Sequence, residues 1–168
     1  QNVEKYNILP LERRKYVIKN FIKSFVLMGL ILGMLKPLII PAIFYNQWDN
    51  RLIHITGALY TCNDLTGLIM VKNLPYSTKT HHVITTTLCL VSFGIDFKTS
   101  QLGRMMFIYT LASAHAYLVN FYLAMRLIVE KNKLESLRLS SRNIYFICCT
   151  FNWGWHILWI FNNYGIIN

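Results

Sequence analysis

Arg51–Phe97, RLIHITGALYTCNDLTGLIMVKNLPYSTKTHHVITTTLCLVSFGIDF, decides the fold, because it holds two apolar runs joined by a short polar loop. The first run, about 52–71, starts after Arg51 and stops at Lys72. The second, about 80–97, follows the loop KNLPYSTK, Lys72–Lys79, where Pro75 is a breaker. A helix rises about 1.5 Å per residue, so runs of this length approach the ~30 Å thickness of a hydrocarbon core.

The same pattern continues on both sides. Lys15, Lys19 and Lys23 recur beside Tyr16, Ile18, Phe21, Ile22 and Phe25, which reads as a helix entering from the headgroups and continuing over about 16–44. Lys36 and Pro37 should kink it. Further spans are expected at about 102–128 and 143–167, separated by the polar stretch Glu130–Arg142, with Trp159 suited to an interfacial aromatic belt. Hydrophobic residues make up 54% of the 168 and charged ones only 14%, well under the ~25% of a soluble domain. The expectation is one all-α domain, 1–168, a polytopic transmembrane bundle of about five spans. The first apolar run is too long and starts too late for a cleavable signal peptide, and the chain opens on Gln1 rather than Met.

A net charge of +10 would suit nucleic acid if it formed a basic face on a soluble module, but here the Lys and Arg flank the apolar runs, which argues against that partner. With five spans, Lys5, Arg13, Arg14, Lys15, Lys19, Lys23, Lys72, Lys79, Arg126, Lys131, Lys133, Arg138 and Arg142 share one side. Lys36, Arg51, Lys98 and Arg104 take the other, a split of thirteen to four. The basic side, with the N-terminus, should face the cytosol, or the matrix of a mitochondrion. Cys62, Cys89, Cys148 and Cys149 lack CxxC spacing and read as small apolar filler.

Polar groups inside a span are costly and need a reason. Those within the runs include Asn63, Asp64, His81, His82, His115, Asn120, Asn152 and His156. Asp64 should lie about 12 Å below the basic surface. His81 and His82 should stand at the mouth of the next span, with Asn120 at a depth similar to Asp64, so that Asn63, Asp64, His81, His82, His115 and Asn120 converge on one lipid-binding pocket. If the chain is catalytic, His81 or His82 is the general base and Asp64 fixes its tautomer, which suits acyl transfer to a lipid. The bland reading is that Asp64 and one histidine pin helices together. The histidine pair lacks the HxxxH or HxxHH partners of di-iron membrane enzymes, so no metal and no cofactor are expected. His54 should cap or sit at the interface, and His115 and His156 also fit helix packing.

These residues resemble the TLC domain, the membrane domain of ceramide synthases and translocating-chain-associating proteins. The resemblance rests on Tyr60 four residues before the intramembrane Asp64, the short loop, and the paired His81 and His82. It is extended by Lys23-Ser24-Phe25 at the head of the first span and by Leu118 to Asn120. It implies a lipid-handling helical bundle, an endoplasmic reticulum location, and a pocket at Asp64, His81, His82 and Asn120. Ser113 and His115 stand where the family often has a glutamate followed by a serine, only Asp96 follows the histidine pair, and Phe151-Asn152-Trp153 replaces an expected arginine. The resemblance therefore implies lipid binding or sensing with ceramide synthase activity lost. The eroded motif also fits a structural subunit of a larger membrane assembly, such as one in the mitochondrial inner membrane.

Overall fold

The computed structural model describes residues 2–167, with side chains over 4–162, and every regular element in it is helical. Gln1 and Asn168, the ends of the expected domain, lie outside the described residues. Helix α1 spans Asn2–Ile8 and stops before Pro10; α2 follows at Leu11–Met34. The expected kink is a π turn over Leu35–Ile39 that leads into α3, Ile40–Tyr45. Neither Pro37 nor Pro41 has an N–H to donate, and the ladder widens around them so that the Ile40 N–H reaches the Leu35 carbonyl. The run ends at Asn46, whose φ of 52° is left-handed, a conformation asparagine tolerates.

Helix α4, Asn50–Met70, opens on Asp49, whose carboxylate accepts from Leu52 N at 3.0 Å. Helix α5 occupies Tyr76–Ser92 rather than 80–97, starting directly after Pro75 and stopping well short of Phe97. The chain then returns through a loop that Asn50 holds from both sides. Asn50 Nδ2 donates to Asp96 Oδ1 at 2.7 Å, and its Oδ1 accepts from Phe97 N at 2.9 Å. The Asn50 bond, followed by the Lys98 N–H, keeps the Asp96 carboxyl below its ordinary pKa. Phe97 folds inward among Leu38, Ile39, Ile53 and Phe107. A Cβ on Gly103 would stand 2.7 Å from Ile95 Cγ2, so only glycine lets the next helix meet this loop.

The expected span 102–128 is two helices, α6 Gln101–Ala114 and α7 Tyr117–Met125, with His115 and Ala116 between them. Neither proline nor glycine marks that break. Hydroxyls of neighbouring helices bond α7 carbonyls beside it: Ser24 Oγ donates to Tyr117 O at 2.9 Å, and Ser141 Oγ to Leu118 O at 3.0 Å. Helix α8, Glu135–Ile167, takes in most of the polar stretch assigned to a linker. Arg138 pairs with Glu135 on its first turn, at 2.5 Å.

Among the described residues, two stretches are long and apolar enough to cross a membrane by length and composition, Leu11–Tyr45 and Lys131–Asn162. Helices α4, α5 and α6 fall short of that measure, being short or diluted by groups such as Asn63, Asp64 and Thr85–Thr87. The core falls in two clusters, one of Leu38, Ile39, Ala42, Ile53, Phe97, Phe107 and Ile108, the other of Leu27, Leu30, Tyr60 and Ala114, where α2, α4 and α6 meet. Helix α8 packs on α6 and α7 and is otherwise exposed, so that Phe146, Phe151, Trp153 and Phe161 face outward.

Candidate functional site

The inward face of α2 reads Val17, Asn20, Lys23, Ser24, Leu27, the spacing of one helical stripe, and it carries a lysine into the core. Lys23 Nζ makes a close ion pair with Asp64 Oδ1 of α4, and both side chains are buried, at 7% and 0% exposure. Thr85 of α5 donates its hydroxyl to Asp64 Oδ2 at 2.9 Å. His82 Nδ1 lies 3.1 Å from Asp64 Oδ1 but off the line of a hydrogen bond, so that contact is electrostatic rather than directional. Lys19 Nζ stands 3.0 Å from His82 Nε2. A lysine ammonium only donates, so Nε2 is the acceptor and the His82 proton sits on Nδ1, toward the carboxylate.

Of the six residues expected to converge, three do. His82 is inside the cluster, and His81 is at its edge, with Nε2 3.9 Å from Asp64 Oδ2 and the side chain 38% exposed. Because α5 begins at Tyr76, the two histidines sit on its second turn rather than at its mouth. Asn63, His115 and Asn120 do not join. Asn63 Nδ2 donates to Leu59 O at 3.1 Å, His115 Nδ1 lies 2.9 Å from Leu111 O, and Asn120 Nδ2 donates to Ala116 O at 2.9 Å. Each satisfies itself on the preceding turn of its own stretch of helix, an option open to polar side chains four residues after a carbonyl. His54 and His156 do the equivalent, His54 against Ser92 O across helices and His156 against Asn152 O on its own.

Lys19, Lys23 and Thr85 are the members that sequence reasoning missed. Charge alone assigns both lysines to the headgroup region, whereas these two of the thirteen orientation charges point into the bundle. The available signal was the stripe itself, since Lys19 and Lys23 lie one turn apart on the side of Asn20 and Leu27. Helix α2 comes so close to α4 here that a Cβ on Gly67 would lie 2.5 Å from Lys19 Cε. The Gly67→Ala variant should push the flexible lysine end off His82. Stability should change by less than about 1 kcal/mol, because the gain in helix propensity offsets the shift. Nitrogen NMR of His82 checks this, and an unmoved Nε2 resonance would contradict the contact.

Ligand atoms of Asp64, His81 and His82 lie within 4.8 Å of one another, a spacing that could hold a metal ion. Against that, Lys23 already pairs with the carboxylate, and adding a cation beside Lys19 and Lys23 is opposed by charge. The same occupancy restrains acid–base chemistry: the acceptor nitrogen of His82 is filled by Lys19, and both oxygens of Asp64 already accept, from Lys23 and from Thr85.

Next to the cluster lies a half-open, mostly apolar crevice bounded by α2, α4, α5 and α6 together with Phe97. Its lining carries the hydroxyls of Tyr60, Thr61 and Thr85, and also of Thr56, Ser92, Tyr109 and Thr110, among apolar side chains that include Leu38, Ile39, Phe97 and Phe107. Thr85 thus touches the cavity and Asp64 at once, and Lys23 Nζ lies 5.8 Å from the centroid of the Tyr60 ring. Cys89 also lines it, and all four cysteines are free thiols. Comparisons with family models, with curated proteins and with solved structures find no match to this chain.

Proposed function

We propose that this chain is an integral membrane protein, a TLC-like bundle of about five spans, that binds or senses a membrane lipid between its helices and lacks ceramide synthase activity. The many large apolar side chains that point outward, among them Phe25, Leu32, Phe44, Ile69 and Leu90, support the membrane reading. So do the two long apolar stretches and the thirteen-to-four distribution of basic residues. By resemblance the membrane is that of the endoplasmic reticulum, with the mitochondrial inner membrane as the alternative.

The observation that carries the lipid reading is the cavity: a mostly apolar slot between helices with a few hydroxyls set in its wall has the form of an amphiphile site. Its position moves the proposed site from the ionic cluster to the space beside it, with the cluster as a rigid floor. A Cβ on Gly57 would meet only Cys89 Sγ, at 3.9 Å, so a larger side chain there starts in open space and fills the slot. Lipid co-purifying with the wild-type protein, identified by mass spectrometry, should fall at least tenfold in Gly57→Phe at unchanged thermal stability. Lipid-free wild-type protein, or equal lipid in the variant, would sink the reading.

A structural subunit of a larger assembly is the second reading, and the aromatic outer face of α8 favours it. Native electrophoresis separates the two, since a small free particle speaks against a subunit.

A further inference from the structure

Where α3 hands over to α4 and α5 to α6, at the end of the bundle away from Lys72 and Pro75, the chain forms a second, more open pocket. It is lined by Pro37 and Pro41, by the loop 46–49, and by Lys98 and Arg104. Two of the four basic residues of the sparser side thus share one concave surface. Arg104 is held in place there. Its Nε donates to Phe97 O at 3.3 Å and its Nη2 to Lys98 O at 2.5 Å, and the guanidinium carbon lies 5.1 Å from the centre of the Trp48 ring, which Phe107 braces edge-on. A guanidinium has five N–H protons, so most of the fork stays available to a ligand.

The charges of this pocket are not spent on one another. Among the described residues neither Lys98 nor Arg104 makes an ion pair. Asp96, two residues before Lys98, is occupied by Asn50, Thr99 and the Lys98 amide. Asp49 caps α4 with Oδ1, which accepts from Leu52 N, and its exposed carboxylate keeps Oδ2 for other partners. A simple anion would gain from Lys98 and Arg104 but be opposed by Asp49, whereas a zwitterion uses all three charges. On the membrane reading above, this end of the bundle stands at headgroup level in the leaflet opposite the basic side, the depth at which tryptophans such as Trp48 collect. We propose that the pocket seats a zwitterionic phospholipid headgroup, with its phosphate on Arg104 and Lys98 and its ammonium toward Asp49. The fork, preset by two carbonyls and by Trp48, matches two phosphate oxygens and loses little freedom on binding them. This site is separate from the slot beside Asp64, and it rests on the membrane reading alone.

The test uses the full chain in a sugar-headed detergent, with equilibrium binding of dihexanoyl-phosphatidylcholine, dihexanoyl-phosphatidylglycerol and inorganic phosphate. The zwitterionic lipid should bind the wild-type chain more tightly than the anionic one. Asp49→Asn keeps a good helix cap and removes the charge. It should weaken the choline lipid about fivefold, the size of one partly exposed charge contact, and tighten the glycerol lipid, so that the preference reverses. Lys98→Gln, at a side chain with no bond to the protein among the described residues, should weaken both. An unchanged preference in Asp49→Asn, or unchanged binding in Lys98→Gln, overturns the inference. So does inorganic phosphate that displaces both lipids at equal concentration, which would assign the pocket to a soluble phosphate. A chain that resists alkaline extraction from membranes yet binds neither lipid overturns this site and leaves the membrane reading standing, whereas a chain released by that extraction overturns the membrane reading itself.

Discussion

Replacing Asp64 by alanine is expected to destabilise the protein by about 3–5 kcal/mol, because it strands the Lys23 ammonium inside the bundle with no counter-charge. That is a large fraction of the roughly 5–15 kcal/mol by which proteins are stable, so much of the material should fail to run as a single species in detergent. Asp64 is the hub of the contacts among α2, α4 and α5: Lys23, Thr85 and His82 all address its two oxygens. A double variant, Asp64→Leu with Lys23→Met, removes both charges and fills the space, and should recover most of the loss. Thermal unfolding of the three proteins in one detergent decides the point. A loss under about 1 kcal/mol in the single variant would mean that the pair is hydrated, as at a surface, and would contradict its burial.

Phe97→Ala should be the next most damaging change, at about 3–5 kcal/mol, the usual cost of emptying an aromatic site in a core. Phe97 is 2% exposed although it belongs to a loop. Its amide donates to Asn50, its carbonyl accepts from Arg104 Nε at 3.3 Å, and its ring packs against Gly103 and forms part of the cavity wall. Removing the ring should therefore lower the unfolding temperature and open the slot on that side. Cys89, which lines the slot, reports the opening: its reaction with a maleimide, located by mass spectrometry, should quicken in the variant. Unchanged Cys89 reactivity would mean that the loop has collapsed into the space or that Phe97 does not wall it.

Much of the helical layout is legible without coordinates. The apolar run between Arg51 and Lys72 places α4 nearly end to end, whereas α2, α5 and α8 each begin one turn or more before the expected start and α5 also ends early; Pro37 marks the π turn, because a missing N–H must be accommodated locally. What misled the reading was local chemistry without a local marker. The break at His115–Ala116 contains neither proline nor glycine, so 102–128 reads as one helix. Phe97 belongs to an apolar run by composition, and only its contact with Gly103 and Asn50 shows that it has left the helix and turned back.

The candidate site divides in the same way. Sequence by itself determined that polar groups sit within apolar helices, and the cost of burying Asp64 and His82 made them the residues to question. Which of those groups meet was decided by tertiary structure alone. A polar side chain on a helix can satisfy itself on the preceding turn, as Asn63, His115 and Asn120 do, or reach across to a neighbour, as Asp64 does. Periodicity cannot separate the two, because the choice depends on what the adjacent helix presents at the same height. For Asp64 that neighbour is Lys23, a residue whose charge alone suggests the membrane surface and whose place on the inward stripe of α2 put it in the core.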